Sequence, residues 1–170
     1  MEINDFFCDP EELSDIHKLY KFGDKIDNKA IAATKEVPIV ICYSYINTTD
    51  TNYGFGQIDF DNIDAFHYFT RMRKLSEKSI IKIKDEFDAQ DWHLNSTKGR
   101  NIINALKLHF NIKERIDIVP DIMHFALYPK NMQKQADKTN HIKNPRIHFL
   151  VAHNGIIYPL FYDPYHKINP

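Results

Sequence analysis

Arg146, His148, Asp163 and His166 crowd the last twenty-five residues, and together they have the makings of an acid–base site. Two β-rich runs, 146–152 and 156–162, flank His153-Asn154-Gly155, and Asn-Gly is the strongest two-residue hairpin signal. With Asn154-Gly155 as a type I′ turn, His153 faces Ile156 and the pairs continue as 152/157, 151/158, 150/159, 149/160, 148/161, 147/162 and 146/163. Ile147, Phe149 and Val151 then share a core face with Tyr162, Leu160 and Tyr158. Arg146, His148 and Asp163 lie on the other face, and a turn begun by Asp163-Pro164 folds His166 back toward Arg146. A guanidinium holds an anion such as phosphate, and a carboxylate-oriented imidazole is a competent base near neutral pH. The plainer reading of Arg146 and Asp163 is a cross-strand ion pair that fixes register. Pro159 makes the last strand an edge, able to accept a strand from a protein partner.

A second set of residues has the character of a phosphate-backbone contact. His93, Lys98 and Arg100 surround Asn95-Ser96-Thr97 at a helix entry, where anions are favoured. Arg71 and Arg73, with Lys74, end another helix; cations complement the dipole there, and RNA phosphates are the functional alternative. His67 and His109 lie beside apolar stripes and read as packed residues. Metal binding has little to work with. HExxH and CxxC are absent, and a metal-dependent hydrolase would need three of His93, His148, Asp163 and His166 to converge. With five glycines and neither GxGxxG nor GxxxxGK[ST], the chain lacks a nucleotide cradle, and no cofactor is expected.

The elements that must position these residues follow from periodicity. Asp9 caps a helix over 10–22, with Leu13, Ile16, Leu19 and Tyr20 as its stripe and Gly23 at its end. Pro38 to Ile46 reads as a strand, and 47–57 as a loop. Asp61 caps a second helix with Ile63, Phe66, Phe69 and Met72 inward; Ser76 starts a third carrying Ile80, Ile83 and Phe87. Residues 88–97 read as a loop, 99–110 as a fourth helix and 122–128 as a strand. Residues 130–145 are basic and polar, which predicts a mobile connector. The expected fold is therefore one α+β domain over residues 1–170. Three to four helices pack on one side of a small, mostly antiparallel sheet that ends in a C-terminal hairpin.

Composition narrows the function classes. Hydrophobic residues at 43% suffice for a core, and a net charge of −1 excludes a strongly basic coat, so any RNA contact must be a local patch. Apolar runs fall short of the ~18 residues a membrane helix needs. The acidic start lacks a signal peptide's basic region, and two cysteines make no disulfide scaffold; a cytoplasmic protein with reduced thiols is expected.

The C-terminal run RIHFLVAHNGIIYPLFYDPYHKINP resembles a group of small bacterial proteins of mobile elements and defence loci. Their C-termini carry an R-x-x-F strand, a tight turn, an aromatic strand and D-x-x-H; the matching positions are Arg146, Phe149, Phe161, Asp163, Pro164 and His166. The strand Ile41 to Ile46, the helix Phe66 to Leu75 and Trp92-His93 are also similar to that group. More distantly, helices before a sheet with an Arg-bearing strand are similar to RelE-type toxin ribonucleases. That resemblance implies metal-independent RNA cleavage, with Arg146 on the phosphate and His166 or Tyr162 as acid or base. The chain is less basic and longer than such toxins. Two functions are thus expected as alternatives. One is a toxin-like or defence-associated endoribonuclease, using Arg146, His148, Asp163 and His166 on RNA. The other is a non-catalytic protein-binding module of a toxin–antitoxin or phage-defence system.

Overall fold

A computed structural model describes residues 39–78, 92, 95–97, 99–113, 122–151 and 156–169. The elements run β1 (Val40–Ile41), α1 (Asn62–Ser76), β2 (Asn95–Thr97), α2 (Arg100–His109), β3 (Ile122–Ala126), β4 (Arg146–Val151) and β5 (Ile156–Asp163). The five strands form one sheet in the order β1-β5-β4-β3-β2. Strands β2 to β5 pair antiparallel, while β1 lies parallel to β5 through Val40↔Ile156 and Ile41↔Ile157.

This corrects the expected architecture in three ways. The described residues carry two α-helices rather than three or four; Ser76, expected to start a helix, is the last residue of α1, and the helix expected over 10–22 and residues 79–87 of the next lie outside the described residues. The sheet is mixed, because β1 reaches it first in the chain and joins β5 as a parallel neighbour. The helices also do not share a side. Tyr68, Met72 and Leu75 of α1 pack with Phe125, Ile147, Phe149, Ile157 and Tyr162 on one face. Ile102, Ala105 and Leu106 of α2 pack with Ile122, Leu150, Tyr158, Leu160 and Phe161 on the opposite face. Alternation along β3, β4 and β5 supplies an apolar set to each face, so each needs a helix to cover it.

Helix α1 is capped as expected. Asp61 accepts from the amides of Ile63 and Asp64, and the Asp64 side chain returns a bond to the Asp61 amide. Its buried face is displaced from the expected one. Met72 is inside, but Ile63, Phe66 and Phe69 are exposed, and Asp64, Tyr68, Arg71 and Leu75 are buried instead. Counting apolar residues misplaced the stripe, because two buried positions are charged and find their partners within the fold.

Near Arg146 the hairpin register is the expected one: Arg146↔Asp163, Ile147↔Tyr162 and His148↔Phe161. Beyond His148 it shifts by one, to Phe149↔Pro159, Leu150↔Tyr158 and Val151↔Ile157. The unpaired extra residue is Leu160, and the bulge sits beside Pro159, where a residue without an N–H is accommodated at least cost. The two-residue-turn register is therefore corrected on the turn side; residues 152–155 lie outside the described residues.

Strand β5 is not an edge. It lies between β4 and β1, and where β1 ends the 47–57 loop takes over: Tyr162 donates its amide to Tyr53 O, and Gln57 Nε2 donates to Tyr162 O. A Cβ on Gly56 would meet Thr48 O at 1.6 Å, so the loop folds on itself only with glycine there. The edges are β1 and β2, two and three residues long, which is how sheets blunt strand addition. The expected partner strand therefore has no place on β5. The 130–145 connector also has its own hydrogen-bonded structure. It holds a 3-10 turn at Lys130–Met132 and an Asp137↔Ile142 bridge, closed by Asp137 accepting from the Thr139 and Asn140 amides. Cys42 is disulfide-bonded rather than the expected free thiol. Among the described residues no helix is long and apolar enough to cross a membrane.

Candidate functional site

The register that survives at the Arg146 end carries the candidate site. Antiparallel pairing sets His148 opposite His124 of β3 and Arg146 opposite Asp163 of β5. Residues two apart on a strand share a face, so Thr97, His124, His148 and Asp163 come together on the α2 side of the sheet. After β5 the chain turns at Pro164. Asp163 accepts from the amides of Lys167 (2.9 Å) and Ile168 (2.7 Å), and this carboxylate anchors residues 164–169. His166 takes φ 54°, a left-handed conformation for which His is one of the more tolerant side chains. Its Nε2 lies 2.8 Å from Asn144 O. Arg146 donates to Asn144 Oδ1 at 2.9 Å and to Asn144 O at 3.3 Å, so Asn144 joins the guanidinium and the His166 imidazole.

The four expected catalytic side chains therefore do gather, but in a closed arrangement. Arg146 is 5% exposed, and His148 and Asp163 are fully buried; His166 is half-buried. Two further members, Thr97 and His124, had not been singled out, because a Thr in a polar run and a His among apolar strand residues carry no local signal. Thr97 Oγ1 lies 2.7 Å from His124 Nδ1 and 3.2 Å from His148 Nδ1. His124 Nε2 lies 3.5 Å from Asn169 Nδ2, and His148 Nε2 lies 3.9 Å from Asp163 Oδ2.

These contacts fix a direction. A hydroxyl carries one proton, so Thr97 donates to one imidazole and accepts from the other. Asn169 Nδ2 donates to His124 Nε2, which places the His124 proton on Nδ1, facing Thr97. Thr97 then donates to His148 Nδ1, and His148 Nε2–H points at the Asp163 carboxylate. The opposite assignment would set a nitrogen lone pair against a carboxylate in a fully buried site. The last step is too long for a hydrogen bond, and His148 Nε2 is left without a partner. Burial, with His124, Arg146 and His166 nearby, holds the His148 imidazole well below its ordinary pKa, so it is neutral at pH 7. Burial also lowers the Arg146 guanidinium to about 10, against the opposing pull of Asp163; it keeps its charge.

The second expected set does not assemble. Arg71 is buried, donates to Leu127 O and Tyr128 O, and stacks its guanidinium 4.2 Å from the Trp92 ring centre. It is a structural cation, which corrects its expected place on RNA. Arg73 is exposed and pairs with Glu77 at 3.8 Å; Arg100 is exposed at the start of α2. His93 and Lys98 lie outside the described residues. His109 Nε2 lies 2.7 Å from Tyr45 O, and the His67 ring packs on Tyr128, so both are packed as expected. Among the described residues no three His, Cys, Asp or Glu side chains are placed to hold one metal ion.

No protein-family model, no curated protein and no solved structure matches this chain.

Proposed function

We propose that the chain is a protein-binding module whose docking surface is the outer face of α1. The observation that carries this reading is an inversion of exposure. Ile63, Phe66 and Phe69 stand 56%, 67% and 63% exposed, while Arg146, His148 and Asp163 are shut inside. Large apolar side chains grouped on one helix face are a docking signature, whereas scattered ones are ordinary. Arg73 and Lys74 extend the same helix as exposed cations. The occupant that fits is an amphipathic helix of a partner protein, with apolar anchors at helical spacing and acidic residues at one end. The test is fluorescence anisotropy of the full chain against a designed Leu-rich helical peptide flanked by Glu, and against the same peptide flanked by Lys. Preference for the acidic peptide, weakened at least tenfold by Phe66→Ser/Phe69→Ser, is expected. Equal binding of both peptides, no binding of either, or loss of the face to self-association in sedimentation overturns the reading.

Metal-independent cleavage of RNA is the second reading, favoured by the convergence of Arg146, His148, Asp163 and His166. The ribose 2′-hydroxyl would attack phosphorus, one imidazole accepting its proton and the other protonating the leaving oxygen, with Arg146 on the phosphorane charge. It requires residues 164–169 to leave the site. Labelled RNA incubated with wild type and with Arg146→Ala/His166→Ala separates the two: cleavage by wild type alone supports it, and equal cleavage or none removes it.

A further inference from the structure

We infer that residues 164–169 form an acid-released clasp, closed while the Thr97–His124–His148 network is neutral and opened when His148 takes up a proton. The inference concerns the clasp and rests on neither functional reading.

The segment is tied down along its length: Pro164 O accepts from the Asn144 amide and the Tyr165 hydroxyl donates to Asp59, while the remaining tethers reach the sheet, its Asn144 approach and α2. The Lys167 and Ile168 amides end on Asp163, His166 Nε2 on Asn144 O, Asn169 Nδ2 on His124, and Lys167 O on Asn101 Nδ2 of α2. Two of these anchors, Asp163 and His124, lie at the buried imidazoles. His148 is surrounded from each strand packed on it: Thr97 from β2, His124 from β3 with ring centres 5.2 Å apart, Arg146 from its own strand, and Asp163 with the Phe161 ring from β5. His166 of the segment adds a further group, and Asn101 is the polar contact from α2. Only Asp163 is negative among them, and both of its oxygens already hold backbone amides.

A second proton on His148 breaks this arrangement at two points. Its Nδ1 must become a donor, yet it faces the hydroxyl that donates to it, so Thr97 must turn and give up one imidazole. Its charge then joins that of Arg146 in the buried interior, where like charges repel strongly. Drawing the Asp163 carboxylate onto Nε2–H offsets that charge, at the expense of the Lys167 and Ile168 amides. His166 adds bias: its left-handed backbone is held by the same closed segment and relaxes once the segment leaves. Open, His148 titrates near its ordinary value; closed, it is held well below. Opening therefore takes up a proton and is favoured as pH falls through about 6.5.

The test is backbone hydrogen exchange of the full chain at pH 7.5 and 5.5, corrected for intrinsic rates. Protection of the Lys167 and Ile168 amides should fall about tenfold at pH 5.5, the change one histidine of ordinary pKa supplies over that interval, while the β3 and β4 amides keep theirs. In His148→Gln, which keeps a polar side chain but does not titrate, the fall should vanish. Where that variant does not fold, the pH profile of the wild type decides: protection of these two amides must be flat above about pH 6.5 and fall about tenfold per pH unit below it, the slope of one proton taken up on opening. Unchanged protection in the wild type, an equal fall in His148→Gln, or a fall already under way above pH 7 overturns the clasp.

Discussion

Two buried polar clusters lie on opposite faces of the sheet, and they are built on opposite principles. On the α1 face, the Asp64 carboxylate is fully buried and accepts from Tyr128 OH at 2.7 Å, Tyr162 OH at 2.9 Å, the Asp61 amide at 3.2 Å, and Lys143 Nζ. Lys143 also reaches Asp61, itself held below its ordinary pKa although burial opposes this. Burial and the neighbouring Asp64 push both tyrosines far above their ordinary range, so they serve only as donors. On the α2 face, His148 has one long contact to Thr97, and its other nitrogen has no hydrogen-bond partner. A satisfied network pins one arrangement; a network one bond short holds a second arrangement within reach. Four elements meet at Asp64, which reads as architecture, and the incomplete face is where a change of state belongs.

Removing the hub of the satisfied cluster is the harshest way to test this contrast. Asp64→Ala leaves two tyrosine hydroxyls and a lysine without their common acceptor inside the fold. A loss of about 3–5 kcal/mol is expected in urea unfolding, as for breaking a buried ion pair. A loss below that of Asp163→Ala would invert the ranking of the two faces.

Asp163→Ala comes next, at about 2–3 kcal/mol, because it removes the acceptor of two backbone amides and a carboxylate facing Arg146. Exchange at Lys167 and Ile168 should rise at every pH. If those amides stay protected, Asp163 does not anchor the segment.

His148→Phe sharpens the contrast through pH. The folded state holds His148 neutral, and the unfolded chain protonates it near 6.5, so its stabilising contribution is complete above that value and is lost as pH falls. Between pH 7.5 and 5.5 the wild type should lose about 1 kcal/mol more than His148→Phe. Identical pH dependence in thermal or urea unfolding would show that His148 does not titrate on unfolding. His109, which burial also holds low, remains in both proteins and cancels.

What was legible in the sequence divides along similar lines. Asp61 as a cap, α2, β3 and the Arg146↔Asp163 pairing were all readable, because capping chemistry and alternation are local. The bulge at Leu160 was not, since the neighbouring proline reads as an edge marker as readily as a bulge marker. β2 was not readable: Asn95-Ser96-Thr97 has no apolar alternation and becomes a strand only because β3 offers it a ladder. The buried face of α1 was misplaced for the same reason, since Asp64 and Arg71 are inside by virtue of partners sixty residues away. Of the site, the convergence of Arg146, His148, Asp163 and His166 was legible, while its closure and the roles of Thr97 and His124 depend on cross-strand neighbours that no local pattern encodes.

Arg71 and Arg73 carry that lesson to its smallest expected effect. They lie two residues apart on α1, on different faces, and the sequence gives them one role. Arg71 is buried against Trp92 and two carbonyls; Arg73 meets Glu77 in an i,i+4 pair with side chains 75% and 60% exposed. Solvent screens that pair, and side-chain entropy offsets what remains, so Arg73→Ala should shift stability by less than about 0.5 kcal/mol. The substitution should still weaken the acidic helical peptide, since a rim cation governs encounter more than fold. A stability loss above 1 kcal/mol in urea unfolding would mean that the outer face of α1 packs against the chain itself, and the docking surface would then be part of the core.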